Sequence, residues 1–186
     1  NTVRSAKDFF FPQTENLMDF KVEGKTIEIE DTRREQEDFI LFGVRGCDVQ
    51  ALEVLDRVFL APPTDSYYQE RRTHGVIISL ACDRPAETCF CGTFGIDAAD
   101  PAGDVTCWKT ADALYLNAKT EKGAALLAQL ETVTAPADET AADEAKATAR
   151  RRLETLPLAT LSADAFGAGK TEQFFNAPEW AELSES

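Results

Sequence analysis

Two short apolar runs stand out in the pattern of hydrophobic and polar positions along the chain. Phe39 to Val44 is apolar throughout, and Val76 to Ala81 is apolar apart from Ser79. Runs of this length and composition are typical of strands that are covered on both faces of a sheet. We therefore expect both runs to form strands, with 39–44 at the centre of the sheet.

The segment between the two runs has helical spacing. Asp48 suits the N-cap of a helix that continues to about Leu60, where Pro62-Pro63 follows and ends it. Asp65 suits the N-cap of a second, shorter helix. A strand, a helix and a strand in this order predict a right-handed crossover that joins two parallel strands. The apolar positions that define the first helix are Leu52, Leu55, Val58 and Phe59.

Further elements extend this core. Apolar and polar residues alternate on both sides of Glu23-Gly24-Lys25, which predicts a hairpin between Asp19 and Glu30. Later patterns predict two more strands and a helix, at 107–109, 113–117 and 120–130. The fold class is therefore α/β (or α+β), with a mixed, partly parallel sheet, flanking helices and an N-terminal arm that carries the small hairpin.

Three regions follow from this reading of the chain. Residues 1–35 are expected to form an N-terminal arm and hairpin packed on the core, with Phe9-Phe-Phe11 as an aromatic plug. Residues 36–135 are the α/β core, which bears the cysteines. Residues 136–186 begin with a stretch rich in Ala, Glu and Asp, which predicts an exposed charged helix or a flexible connection, so this region is expected to be a helical C-terminal segment.

Charge and length limit the possible partners. The chain has 186 residues, enough for one sizeable core, and a formal net charge of −14. An acidic chain is repelled by phosphate groups, so we expect no nucleic acid partner. No apolar run approaches the roughly 20 residues of a membrane-spanning helix, and the first residues lack the apolar segment of a signal peptide. We therefore expect a cytoplasmic protein without a membrane span.

Four of the five cysteines are candidates for one metal centre. Cys47 and Cys82 follow the two predicted parallel strands, so they are expected at the same edge of the sheet, and Cys89 and Cys91 lie in the loop beyond. Four thiolates are the number that a [4Fe-4S] cluster requires. Structural zinc usually draws on Cys-x2-4-Cys pairs, and no such pair occurs here. Spacing alone also leaves open that these are incidental thiols, and Cys107 is expected to be a small buried apolar residue.

Arg45 is the other candidate site residue. It stands two positions before Cys47, where its guanidinium could donate hydrogen bonds to cluster sulfurs or offset thiolate charge. The alternative is an ion pair with a surface carboxylate. His74 is the single histidine, so histidine-based metal or triad chemistry has little support.

Several motifs together carry a resemblance to a known family. The motifs are Phe9-Phe-Phe-Pro-Gln-Thr-Glu15, Phe42-Gly-Val-Arg-Gly-Cys-Asp48, Ala51-Leu-Glu-Val-Leu-Asp-Arg-Val-Phe-Leu60, Tyr67-Tyr68 with Arg71-Arg72, and Cys82 followed by Cys89-Phe-Cys91. With these motifs the chain resembles the N-terminal region of an iron-sulfur subunit family, which includes the beta subunit of cytoplasmic sulfhydrogenases and the A subunit of anaerobic sulfite reductase. The resemblance covers about residues 2–130, and 174–186 more loosely.

The resemblance implies an electron-transfer subunit. Its expected partners are a flavin- and nicotinamide-binding subunit and a catalytic redox subunit. Family members carry, after this region, a ferredoxin-like module with two Cys-x2-Cys-x2-Cys-x3-Cys runs, and neither run is present here. We therefore expect this chain to precede a missing ferredoxin-like module. Gly46 stands where the family usually has Pro, which implies a less rigid loop before Cys47.

Three functional hypotheses come from these observations. The leading one is a domain of a multisubunit oxidoreductase, of the hydrogenase or sulfite-reductase type, that ligates one [4Fe-4S] cluster and has no turnover of its own. Aerobic preparation could strip such a cluster or replace it with zinc. The alternative is a metal-free docking domain that positions the ferredoxin module and partner subunits. The third is a thiol-dependent oxidoreductase that uses Cys89 and Cys91 as a redox pair.

Overall fold

The structure is a computed structural model that describes residues 5–35, 37–167 and 169–184. Residues 1–4 of the predicted arm lie outside the described residues, as do 36, 168 and the last two positions of the predicted C-terminal segment. None of the helices in the described ranges combines the length and apolar character that crossing a bilayer demands.

Helices and strands follow one another in the predicted order through the first two thirds of the chain. Each expected strand and helix is present, with ends within a few residues of the prediction. In chain order the elements are β1 (Asp19–Glu23), β2 (Thr26–Glu30), β3 (Phe39–Val44), α1 (Gly46–Phe59), α2 (Ser66–His74), β4 (Gly75–Leu80), β5 (Val105–Lys109), β6 (Leu114–Ala118), α3 (Glu121–Gln129), α4 (Glu139–Glu154) and α5 (Glu179–Ser184).

The main sheet confirms the predicted α/β class. Its strand order is β3-β4-β5-β6, with β3, β4 and β5 parallel and β6 antiparallel to β5. The connection from β3 to β4 through α1 and α2 joins neighbouring parallel strands, so both strands end at the same edge of the sheet. The hairpin β1–β2 is a separate two-stranded sheet.

The prediction that 39–44 is central and covered on both faces is wrong. β3 is an edge strand, and its side chains alternate between half-buried and exposed positions, with Ile40 and Phe42 more than half exposed. Leu41 and Phe39 pack on the core that α1 covers, whereas α3 covers strands β4 to β6 on the other face. The apolar composition of β3 predicts burial on both faces. Its second face is exposed because α3 does not extend over this strand.

The start of α1 also differs from the prediction. Asp48 is not the N-cap; the helix begins at Gly46, and Arg45 occupies the N-cap position without a side-chain capping bond. Asp48 lies in the first turn instead. A carboxylate there is favoured by the positive end of the helix dipole, which explains why the residue type suits both positions.

An aromatic side chain from the arm completes the core beside α1. Phe10 is fully buried among Val44, Leu52, Tyr68 and Ile77, as predicted for the aromatic plug. Its ring lies against Gly75, where an added Cβ would stand 2.5 Å from a ring carbon of Phe10. The start of β4 therefore requires glycine, because any side chain would displace the plug.

The hairpin lies outside this core. Every residue of β1 and β2 is exposed, including Phe20 and Ile29, which face each other across the two strands. The Thr32 hydroxyl donates to the Asn16 carbonyl across the base of the hairpin, and the Tyr67 hydroxyl attaches this base to α2 by donating to the Leu17 carbonyl. The hairpin therefore adds no buried residue to the core, in contrast to the aromatic plug.

The charged segment after residue 136 is an ordered helix that packs on the sheet. α4 buries Ala142 and Ala149, and Ala142 contacts the buried Trp108 of β5. Lys146 on the same helix places its ammonium 4.4 Å from the centre of the Trp108 ring. The small alanines let the helix approach the sheet closely, while most of its charged side chains remain exposed. The Ala-rich, charged composition is therefore that of a helix with a narrow apolar face.

A polar network joins α1 to α2. The Asp56 carboxylate accepts two hydrogen bonds from Arg72 at 2.8 Å and one from the Tyr68 hydroxyl at 2.6 Å. Burial raises the pKa of the Asp56 carboxyl, but these donors outweigh that effect and hold the pKa below its ordinary value.

Close packing of α3 makes the first prediction. An added Cβ at Gly123 would stand 1.9 Å from the Asp104 carbonyl oxygen. In an open helix Gly→Ala stabilises by about 1 kcal/mol, but here we expect Gly123→Ala to lower the free energy of unfolding by about 2 kcal/mol. Urea unfolding measures this change. Gly92→Ala, which meets no atom within 4 Å, is the control, and stabilisation by Gly123→Ala would contradict the observed helix position.

The Asp56 network makes the second prediction. A carboxyl whose pKa is lowered by folding stabilises the protein above its unfolded pKa of about 4, and this contribution is lost as the pH falls through the folded pKa. We expect Asp56→Asn to cost about 2 kcal/mol at pH 7 and progressively less towards pH 2. Urea unfolding at several pH values tests this. Asp112→Asn, in the exposed turn after β5, is the matched control, and a pH-independent cost for Asp56→Asn would be inconsistent with the network.

Candidate functional site

Parallel pairing of β3 and β4 brings the first two candidate cysteines to one edge of the sheet. Cys47 lies in the first turn of α1, just after β3, and its side chain is exposed. Cys82 lies two residues after the end of β4 and is half-buried, and its N–H donates to the Ala98 carbonyl at 2.7 Å. The crossover therefore places these two thiols where the sequence predicted.

An irregularity at the end of β3 turns the chain towards this site. The register between β3 and β4 shifts between Phe42 and Val44, and Gly43 has a φ of 85°. This backbone conformation is accessible to glycine and strained for other residues. Gly43 therefore allows the strand to turn before Arg45.

Cys89 and Cys91 lie in the loop that follows Cys82. The Cys89 N–H donates to the Ala86 carbonyl at 3.0 Å, and the Ala86 N–H points back at the Cys89 sulfur at 3.3 Å. Cys91 opens a short 3₁₀ helix that ends at Gly95, and the Ile96 N–H donates to the Cys91 carbonyl at 3.2 Å. Local backbone hydrogen bonds thus fix both cysteines, and the Ala86 amide donates to the Cys89 sulfur.

Arg45 contacts a cysteine rather than a surface carboxylate. Its Nη1 donates to the Cys82 sulfur at 3.1 Å. Burial raises the pKa of the Cys82 thiol, and the positive charge of Arg45 offsets part of this effect. The guanidinium is therefore in position to balance negative charge on sulfur.

The four thiols act on one another electrostatically. Burial raises the pKa of Cys91, and the negative charges of Cys47, Cys89 and Cys82 add to this effect, so that the pKa reaches about 11. Cys89 acts on Cys82 in the same way. Charge on any of the other three sulfurs therefore makes a thiolate at Cys91 less favourable.

The chemistry of the four thiols matches that of an iron-sulfur cluster. Among the described residues, no set of three or more His, Cys, Asp or Glu side chains is arranged to hold one metal ion. A [4Fe-4S] cluster takes four cysteine thiolates, one on each iron. The number and type of the four donors therefore fit such a cluster.

Of the other residues singled out in the sequence, Cys107 and His74 lie outside the group of four thiols, whereas Gly46 directly precedes Cys47. Cys107 is fully buried in β5, as expected for a small apolar residue. His74 ends α2, where its Nδ1 stands 2.7 Å from an Asp38 oxygen. Gly46 is buried, and an added Cβ would stand 3.1 Å from Pro101, so its small size lets the 96–101 segment pack on α1.

Sequence reasoning missed the contribution of the C-terminal segment. The end of α4 and the following turn pack on the cysteine loop and line, with Cys89 and Cys91, a cavity of about 160 Å³. The signal was available in the sequence, because leucines recur directly after the charged stretch. They are Leu153, Leu156, Leu158 and Leu161.

Comparison with known proteins finds a partial relative. The chain is 36% identical over 85 residues to sulfhydrogenase 2 subunit beta of Pyrococcus furiosus. The match covers 46% of this chain and 25% of that subunit, so the chain spans about a quarter of the length of this relative. No family model and no solved structure matches the chain. The partial match supports a relationship to hydrogenase beta subunits.

Proposed function

We propose that this chain is an electron-transfer domain of a multisubunit oxidoreductase of the hydrogenase or sulfite-reductase type, and that it ligates one [4Fe-4S] cluster. The ligands are Cys47, Cys82, Cys89 and Cys91. The observation that carries the proposal is the parallel pairing of β3 and β4, which brings Cys47 and Cys82 to one edge of the sheet, with Cys89 and Cys91 in the loop that follows. The partial identity to a sulfhydrogenase beta subunit supports the same assignment.

A bound [4Fe-4S] cluster supplies one-electron transfer at a potential set by its protein surroundings. The chain's own residues set those surroundings. Arg45 holds a positive charge 3.1 Å from the Cys82 sulfur, and the Ala86 amide directs a donor at Cys89. Both favour added negative charge on sulfur, so both stabilise the reduced state. Binding also requires that Cys82 and Cys91 lose protons.

The proposed partners follow from the subunit relationship. A hydrogenase beta subunit works beside other subunits, and for this chain we propose a flavin- and nicotinamide-binding subunit on one side and a catalytic redox subunit on the other. A cytoplasmic location and a following ferredoxin-like module belong to the same proposal. The exposed Cys47, on the first turn of α1, gives an approach to the cluster from outside the domain.

A metal-free docking domain is the second candidate function. It is favoured by the exposed apolar side chains of the hairpin. In this alternative the thiols have no ligand role. The two candidates differ in whether the protein retains iron.

Cysteine substitution tests the cluster. After anaerobic reconstitution we expect about four irons and four sulfides per chain, with an EPR signal on reduction. Each of Cys47→Ser, Cys82→Ser, Cys89→Ser and Cys91→Ser should lower the iron content and alter the signal, because each removes one ligand. Iron analysis and EPR measure both effects.

Cys107→Ala is the matched control, because this cysteine is buried in the sheet away from the group. It should retain the iron and the signal. Wild-type protein that takes up no iron, or four ligand variants that keep it, would favour the docking domain instead.

Arg45 provides a finer prediction. Removing its positive charge destabilises the more negative reduced state, so we expect Arg45→Gln to lower the midpoint potential by roughly 60 mV, equivalent to a tenfold change in a one-electron equilibrium. EPR-monitored redox titration measures it. Arg84→Gln is the control, because that side chain is highly exposed and lies in the loop after β4, between Cys82 and Cys89. An equal shift in both variants would argue against the Arg45–Cys82 contact.

A further inference from the structure

The loop that carries Cys89 and Cys91 has little apolar core of its own. Phe90 and Phe94 are about half exposed, and their ring centroids lie 5.9 Å apart. Neither is among the buried core residues of the domain. The Cys82 N–H bonds the Ala98 carbonyl across the ends of the loop, but from Ala86 to Ile96 the backbone hydrogen bonds are local, so contacts from another segment are needed to fix this middle part.

Those contacts come from the C-terminal end of α4. Arg150 Nη2 lies 2.6 Å from an Asp97 carboxylate oxygen, and Arg152 donates to the Asp83 carbonyl oxygen. Asp83 and Asp97 stand at the two ends of the loop. Two arginines that lie two positions apart on one helix therefore contact both ends of the loop.

A third contact joins the middle of the loop to the turn after α4. The Thr93 hydroxyl donates to the Leu161 carbonyl at 3.0 Å, and the Phe94 ring lies 5.4 Å from the Phe166 ring. Leucines of the same turn line the small cavity beside Cys89 and Cys91. The helix itself is anchored on the sheet through Ala142 and Trp108, so it offers a rigid support.

We propose that Arg150 and Arg152 are positioning residues that fix the cysteine loop on α4. The site is then built from three segments: the β3–α1 turn, the loop after β4 and the C-terminal segment. For its consequence on a cluster this inference rests on the proposed function. Its structural content concerns the loop alone and is tested without metal.

Hydrogen exchange of the metal-free full chain provides the test. An exposed ion pair and a single hydrogen bond are each modest, so we expect Arg150→Gln/Arg152→Gln to speed amide exchange in the loop about tenfold without unfolding the domain. The informative amides are those bonded within the loop, at Cys89, Thr93 and Ile96. Amides of β4 and β5 should keep the wild-type rate.

Arg151→Gln is the matched control, because Arg151 lies between the two arginines and contacts Thr148 on its own helix. It should leave loop exchange unchanged. Arg150→Lys/Arg152→Lys keeps charge and donors, so it should restore most of the protection. Equal exchange in the double variant and the wild type would overturn the proposal, and so would uniform acceleration of loop, β4 and β5.

Iron release separates this proposal from the proposed function. From reconstituted protein, the double glutamine variant should lose iron to a chelator several-fold faster than Arg151→Gln. If the wild type binds no iron, the proposed function fails while loop exchange still decides the role of the arginines. If iron binds and loop exchange is unchanged by the double substitution, the positioning role fails alone.

Discussion

Parallel pairing of β3 with β4 is the constraint on which the site depends. Because both strands end at one edge of the sheet, Cys47 and Cys82 arrive there from positions 35 residues apart without a special loop. The Arg45–Cys82 contact depends on the same pairing, since Arg45 directly follows β3. Gly43 completes the arrangement, because its positive φ permits the register shift that turns the chain towards α1. A strand slip of one residue would separate these groups.

Burial and charge oppose each other at the thiols. Cys82 and Cys91 both have raised pKa values, so in the metal-free protein they hold their protons at neutral pH. Arg45 reduces this cost at Cys82, whereas at Cys91 every charged thiol neighbour increases it. Both thiols are thus neutral in the metal-free protein, and a positively charged centre would favour their deprotonation. Without such a centre, thiolates at these two positions are unfavourable.

The sequence predicted the local elements well, but it did not predict which faces of these elements are covered by other parts of the chain. The sequence predicted the apolar strands, the N-cap at Asp65 and the crossover, because each of these features depends on residues that are neighbours in the chain. The exposed face of β3 was not, since an apolar Ile40 or Phe42 does not reveal whether a helix reaches it. The arginine contacts on the cysteine loop join residues 53 and 69 positions apart, and the residues next to Arg150 and Arg152 in the chain do not indicate these contacts. Non-local packing decides such cases.

Stability and the candidate chemistry reside in different parts of this chain. The three buried clusters form around Phe10 and Leu52, around Val105 and Cys107, and around Trp108, and none includes any of the four candidate ligands. The cysteine loop is instead held by hydrogen bonds and ion pairs, each of modest energy. Substitution of a ligand therefore removes little buried apolar surface, and the core should survive it. Loss of iron in such a variant can then be attributed to the ligand set rather than to unfolding.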